Sequence, residues 1–316
     1  MPPELARRIA ARNGLALPHD LVTPQGRYAW RDFSSFLDCY DRVAAVLRHA
    51  ADYAELAYDY LARCAREGLI YVEVFNSPDH ARSIGLPYAE QIAGLAAGME
   101  RAEQEFGIVA RTITICLRHL GPDRALAVAN EMVATPHPRV TGFGMAGDEL
   151  RYEPRDFLPA FRLADDAGYA CTAHAGEVAG PESVRATLQA LPVQRLGHGV
   201  RAGEDLRLVA EIARRAIVLE ICPGSNIALG LYPDRRRHPL SQLIGAGCRI
   251  TLNSDDPAFF GTSIGQEYEA AAVELGLSRR VLRGITETAI EAAFVDDGTK
   301  QRLRERVRSW QGETDR

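Results

Sequence analysis

From residue 69 onward, short runs rich in β-branched and other apolar residues alternate with longer stretches whose apolar positions recur at helical spacing. That alternation is the signature of βαβ units around a parallel sheet. Seven runs predict strands: LIYVEVF over 69–75, IVARTITICL over 108–117, RVTGFGMA over 139–146, YACTAH over 169–174, VQRLGH over 193–198, AIVLEI over 216–221 and CRITLNS over 248–254. Helical patterns such as YAEQIAGLAAGMERAEQEFG, RDFLPAFRLADDAG and EDLRLVAEIARRA lie between them, several closed by a glycine free to adopt a left-handed C-cap. Upstream of residue 69 the pattern is helical only. PPELARRIAARNG opens with proline and stops at Gly14, the usual asymmetry of helix ends. A helical insertion at about 29–68 holds two further patterns, RDFSSFLDCYDRVAAVLRHA and DYAELAYDYLARCAREG. Phe33, Phe36 and Leu37 form an apolar cluster on the first of these. Such a cluster suits a core, and helices that lead a barrel also roof its mouth, which makes Phe33 and Phe36 candidate substrate-binding residues.

No repeat, low-complexity tract or Pro/Gly-rich linker interrupts the chain, so residues 1–316 are expected to form a single domain. The length of 316 residues suits one large α/β barrel. A closed (β/α)8 barrel takes eight strands, and the pattern supplies seven. Hydrophobic residues at 47% and charged residues at 25% allow a sizeable core and exclude global disorder. The net charge of −5, with both signs interspersed, offers no basic field for a nucleic-acid partner. The densest basic run, DRRRH at 234–238, reads as a solvated loop. Cys39, Cys64, Cys116, Cys171, Cys222 and Cys248 occur singly in mostly apolar surroundings. They are expected to be reduced, buried thiols of a cytoplasmic protein. No apolar run approaches the roughly 18 residues of a membrane span, residues 1–20 hold no signal-type apolar core, and the oligomeric state is left open.

In parallel α/β folds reactive groups collect at the carboxyl ends of strands. Four places qualify: His174 and Glu177 in TAHAGE, His198 in RLGHG, Asp255 and Asp256 in LNSDDP, and Gly147 in GMAGDE. Taken singly, each histidine has a structural reading, the paired aspartates suit an Asx turn before Pro257, and Gly147 suits a turn. Taken jointly, histidines and an aspartate at consecutive or nearby strand ends are the donors a divalent transition metal prefers. A carboxylate three residues beyond such a ligand can reach a water that the metal has made acidic enough to attack near neutral pH.

The strings GMAGDE, HAGE, RLGHGVR, EICPGSN and LNSDDP, with YVEV before them and HPL at 238–240, stand in the order and approximate spacing of the adenosine/AMP deaminase branch of the amidohydrolase superfamily. The chain resembles that family over nearly its whole length. The resemblance implies a distorted (β/α)8 barrel that binds one Zn2+ and hydrolyses the 6-amino group of a small-molecule purine. It implies that His174 and Asp255 are zinc ligands, with Asp255 also orienting the attacking water. Glu177 would protonate a ring nitrogen, and His198 would position and stabilise the attacking hydroxide. Gly147 would contact another ring nitrogen through its backbone, and Asp256 would bond the imidazole side of the base. Protonating the ring is what makes C6 electrophilic, which requires that burial keep the acid protonated. The H-x-E and P-C-x-x-C motifs of the cytidine-deaminase type of site are absent from the sequence.

One part of the family pattern is missing: the H-x-H pair of its first strand, which supplies two more zinc ligands. The eight histidines include no such pair. The natural protein is therefore expected to extend upstream of Met1 through a segment ending near H-x-H. GMAGDE and RLGHG favour adenosine or deoxyadenosine as substrate, whereas NSDDPAFFG resembles the adenine deaminase form; a modified adenosine such as aminodeoxyfutalosine is a further alternative. A different class of function, a metal-free purine-binding protein, follows if the H-x-H ligands are not supplied.

Overall fold

The computed structural model describes residues 1–314. Its centre is a parallel sheet of seven strands in sequential order: β1 (Tyr71–Asn76), β2 (Val109–Leu117), β3 (Val140–Ala146), β4 (Ala170–Ala175), β5 (Arg195–His198), β6 (Val218–Ile221) and β7 (Arg249–Leu252). The sheet curls into a half-barrel, an α/β fold of TIM type, with helices packed around it and β1 and β7 as its edges. Side chains from non-neighbouring strands meet inside the curl, as where Arg195 of β5 reaches Glu73 of β1.

All seven expected strands form, with ends displaced by a residue or two. AIVLEI is two residues longer than β6 because Ala216 sits at φ 55°, a left-handed turn into the strand. CRITLNS overruns β7 because Asp255, at φ 54°, swings the chain out of the sheet. YACTAH falls short, since Ala175 still pairs with His198. The six cysteines are buried and free. No helix among the described residues is long and apolar enough to cross a membrane.

Before the sheet come α1 (Pro3–Arg12), α2 (Phe33–Ala44) and α3 (Ala50–Arg66). Helices α2 and α3 do different work. α3 belongs to the outer helical layer, lying so close to the helix Tyr88–Phe106 that a Cβ on Gly94 or Gly98 would stand 2.2 Å from the carbonyl oxygens of Ala50 and Ala54. α2, started by a reciprocal cap between Asp32 and Ser35, places Phe36 in an aromatic cluster with Trp30, Tyr40, Phe259 and Phe260. Its partners Phe259 and Phe260 lie just beyond Asp256, so α2 roofs the carboxyl-terminal mouth of the curl. The DRRRH run is solvated at Asp234, Arg236 and Arg237, as expected, but not at Arg235 and His238. Arg235 pairs with Glu267 at 3.1 Å, and His238 is buried.

Candidate active site

The residues expected to carry chemistry converge at the carboxyl ends of β4, β5 and β7. His174 is the fifth residue of β4 and pairs in register with Gly197 of β5. A Cβ on Gly197 would stand 2.6 Å from His174 Nδ1, so this glycine makes room for the imidazole. The His174 and His198 rings meet edge to face with centroids 4.9 Å apart. His198 closes β5 at φ 58°. That left-handed conformation is uncommon for a residue other than glycine, and Asp255 shares it. His198 Nε2 lies 3.5 Å from Glu177 Oε2 and 3.8 Å from Asp255 Oδ2. The donor atoms of His198, Cys222 and Asp255 all fall within 4.8 Å of one another.

A chain of hydrogen bonds decides which nitrogen of His198 carries its proton. The backbone N–H of Leu240 donates to His238 Nδ1 (3.2 Å), which leaves the His238 proton on Nε2. Nε2 donates to Asn226 Oδ1 (3.1 Å), and this fixes the amide so that Nδ2 donates to His198 Nδ1 (3.2 Å). His198 Nδ1 is therefore an acceptor, and the network assigns its proton to Nε2, facing the two carboxylates. Asn226 and His238 are both buried. Burial opposes a charge on His198, but Glu177 and Asp255 outweigh it and raise its affinity for a proton.

Burial also sets the other titrating groups. It depresses His174 to about 3, helped by the neighbouring His198, so this imidazole is neutral and one of its two ring nitrogens keeps a free lone pair. Burial pushes Glu177 up to about 7; His198 opposes the rise and Asp255 adds to it. Asp256, enclosed by protein on most sides, is likewise pushed up to about 7 by burial and by the adjacent Asp255. A neutral imidazole beside so much buried carboxylate suits a divalent cation, which would relieve the repulsion.

Gly147 follows β3 at φ 97°, and a Cβ there would stand 2.7 Å from His119 Nδ1. Only glycine satisfies both the backbone and the space. Phe33 is half-buried beside the fully packed Phe36, their ring centroids 6.2 Å apart. Phe36 is thus enclosed by its aromatic neighbours, while Phe33 stands at the edge of the cluster. Asn226 and Glu149 carry no signal as single residues, although they lie inside the motifs EICPGSN and GMAGDE. Their importance depends on contacts 28 residues or so away in sequence.

Residues 1–310 match the family model described as adenosine deaminase. A protein of Sinorhizobium medicae named adenine deaminase is 47% identical over 302 residues, covering 96% of this chain and 93% of that one. The crystal structure of adenine deaminase from Arthrobacter aurescens superposes with a TM-score of 0.92 at 30% identity, covering 98% of this chain and 95% of the other. An amidohydrolase from Burkholderia ambifaria, solved with bound Zn, gives a TM-score of 0.89 at 29% identity over 100% of this chain and 87% of the other. The chain belongs to the adenosine deaminase family of metal-dependent amidohydrolases and is a hydrolase acting on C–N bonds of cyclic amidines.

Proposed function

We propose that the chain hydrolyses the 6-amino group of adenine, giving hypoxanthine and ammonia, with one Zn2+ per chain. Purine deamination is common to the family and its named relatives. The free base is favoured over the adenosine expected from GMAGDE and RLGHG, because the relatives at 47% and 30% identity both carry the name adenine deaminase. The observation that carries the reaction is the meeting of Glu177, His198 and Asp255 around His198 Nε2 at 3.5 and 3.8 Å.

His174 and Asp255 would supply two of the ion's ligands, beside the H-x-H pair of the family pattern, and the chemistry of the ion is to make a water acidic enough to attack at neutral pH. The chain's own groups do the rest. Asp255 accepts a proton from the attacking water and so orients it, then passes that proton to the 6-amino nitrogen as the C6–N6 bond breaks and ammonia leaves. His198, with its proton on Nε2, donates to the attacking oxygen. Glu177, in the protonated form that burial favours, gives its proton to a ring nitrogen, which draws electrons from C6, and regains a proton from the hydroxyl at C6 as the carbonyl forms. Gly147 binds another ring nitrogen through its backbone N–H, and Asp256 accepts from the imidazole N–H of the base. Phe33 lines the entrance.

An absorbance assay at 265 nm on adenine, adenosine, deoxyadenosine and aminodeoxyfutalosine with added zinc, paired with metal analysis, tests the reading. Adenine is expected to give the highest kcat/KM and zinc to be retained. A nucleoside turned over faster would overturn the choice of base, and inactivity on all four would overturn the reaction. Glu177→Gln keeps the shape but has no proton to give, and kcat is expected to fall by about 10²- to 10⁴-fold with purine binding retained.

A further inference from the structure

Glu149 lies two residues beyond Gly147 in the loop that leaves β3, yet its side chain acts on the loop that leaves β4. Its oxygens accept from four consecutive backbone N–H groups: Oε1 from Gly176 at 2.5 Å, and Oε2 from Glu177, Val178 and Ala179, each at 3.0 Å. The Ser183 hydroxyl, at the start of the helix Pro181–Ala190, donates to Oε1 at 2.6 Å. The carboxylate is 4% exposed. Successive N–H groups that converge on one anion form a nest, and nests need a left-handed residue. Gly176 supplies it at φ 74°, where a Cβ would collide with Val184 Cγ2 at 2.3 Å. Arg201 holds the far side of the same loop by donating to the Val178 carbonyl at 2.6 Å.

All of Glu149's partners are donors, so the site takes an acceptor-only group. An amide of the same shape would turn its NH2 toward a backbone N–H and leave buried donors unpaired. The loop so held carries Glu177, whose own N–H is one of the four. The residue that holds it is joined by two peptide units to Gly147, which faces the other side of the purine in the proposed reaction.

We propose that Glu149 is a positioning residue that fills the nest of residues 176–179 and thereby holds the Glu177 carboxyl in register with the base-binding backbone at Gly147. This role rests on the deaminase reading above, but the clamp itself can be measured without turnover. In Glu149→Gln, hydrogen exchange at the amides of residues 176–179 is expected to accelerate by about 10- to 100-fold relative to amides elsewhere in the sheet. Assayed well below the variant's Tm, kcat on adenine is expected to fall by about 10- to 100-fold while KM moves less than about threefold, the mark of a misplaced reacting group rather than lost binding. A residue that only stabilises the fold would lower Tm and leave kcat intact. Unchanged exchange at 176–179 overturns the clamp, and faster exchange with kcat within about twofold of the parent overturns its positioning role. Should the parent protein deaminate no purine, the deaminase reading fails together with the positioning role, while the exchange data still decide the clamp. If Glu149→Gln does not fold, Ser183→Ala removes one donor of the five; smaller changes of the same kind are expected, and none in either measurement overturns the proposal.

Discussion

At the scale of single residues, the site is shaped as much by what is small as by what is reactive. Gly197 is in the middle of β5 and needs no unusual backbone angle, so its lack of a side chain serves space alone. An alanine Cβ there would sit 2.6 Å from His174 Nδ1 and 3.0 Å from its Cγ. Both atoms belong to a rigid ring packed between Phe75 and His198, so the ring must turn. Gly197→Ala is therefore expected to destabilise the fold by about 1–3 kcal/mol through overpacking. If His174 is a zinc ligand, the same change should weaken zinc binding by about 10- to 100-fold, the range seen when a ligand's orientation is disturbed. Chemical denaturation and a zinc titration of the two proteins measure the two effects. Unaltered zinc affinity together with lost stability would mean that His174 packs without ligating.

At the scale of elements, one carboxylate joins two helices and brings a pH dependence with it. Asp52, in the first turn of α3 and almost fully buried, accepts from Arg12 at 2.5 Å and from Asn13 at 2.7 Å at the end of α1, and from the backbone N–H groups of Arg48 and His49. Burial alone would raise its pKa, but these donors outweigh burial and hold it below the ordinary 3.8. Folded Asp52 thus resists a proton that the unfolded chain accepts, and acid shifts the balance toward unfolding. Its contribution is complete above 3.8 and disappears as the pH falls through the lower folded value. Asp52→Asn should be less stable than the parent by about 1–3 kcal/mol near neutrality. In urea titrations the gap should close as the pH drops below about 4, and a gap that stays constant into acid would refute the linkage. Elements of this kind also show where sequence is readable. Strands and helices were legible from residue 69 onward because each buries a periodic apolar face, and the motifs marked His174, Glu177, His198 and Asp255 because their residue types are chemically unusual at strand ends. The strand ends were not legible, since left-handed turns at Ala216 and Asp255 leave no local pattern. Nor were Asp52, Asn226 and Glu149, whose worth lies in partners distant along the chain.

At the scale of the whole molecule, the two ends of the curled sheet have opposite characters. The carboxyl-terminal end gathers the chemistry, while the amino-terminal end is bolted by charge. Arg195, nearly inaccessible, pairs with Glu73 at 2.7 Å and Glu220 at 2.7 Å, and its guanidinium lies 3.4 Å over the centre of the Phe294 ring. Glu73 also accepts from the Tyr71 hydroxyl (2.6 Å) and the Phe294 N–H (2.5 Å), and Glu220 accepts from Thr172 (2.8 Å). Arg195 thereby links β1, β5 and β6 and fixes the segment after the helix Arg279–Ala292, beside a cleft of about 650 Å³ at that end. Burial disfavours its charge, but the two glutamates more than compensate and raise its pKa. The negative charge of Glu220 is also felt at His198, so the bolt and the reacting groups share one interior. Arg195→Met preserves much of the packing but leaves two carboxylates facing each other without a cation. Stability in urea is expected to fall by about 3–5 kcal/mol, as when one partner of a buried pair is removed. Adding Glu73→Gln and Glu220→Gln to the same protein removes the stranded charges, and part of the loss should return. A single variant within about 1 kcal/mol of the parent, or a triple variant no better than the single, would mean that packing against Phe294, and not charge, holds this end of the sheet.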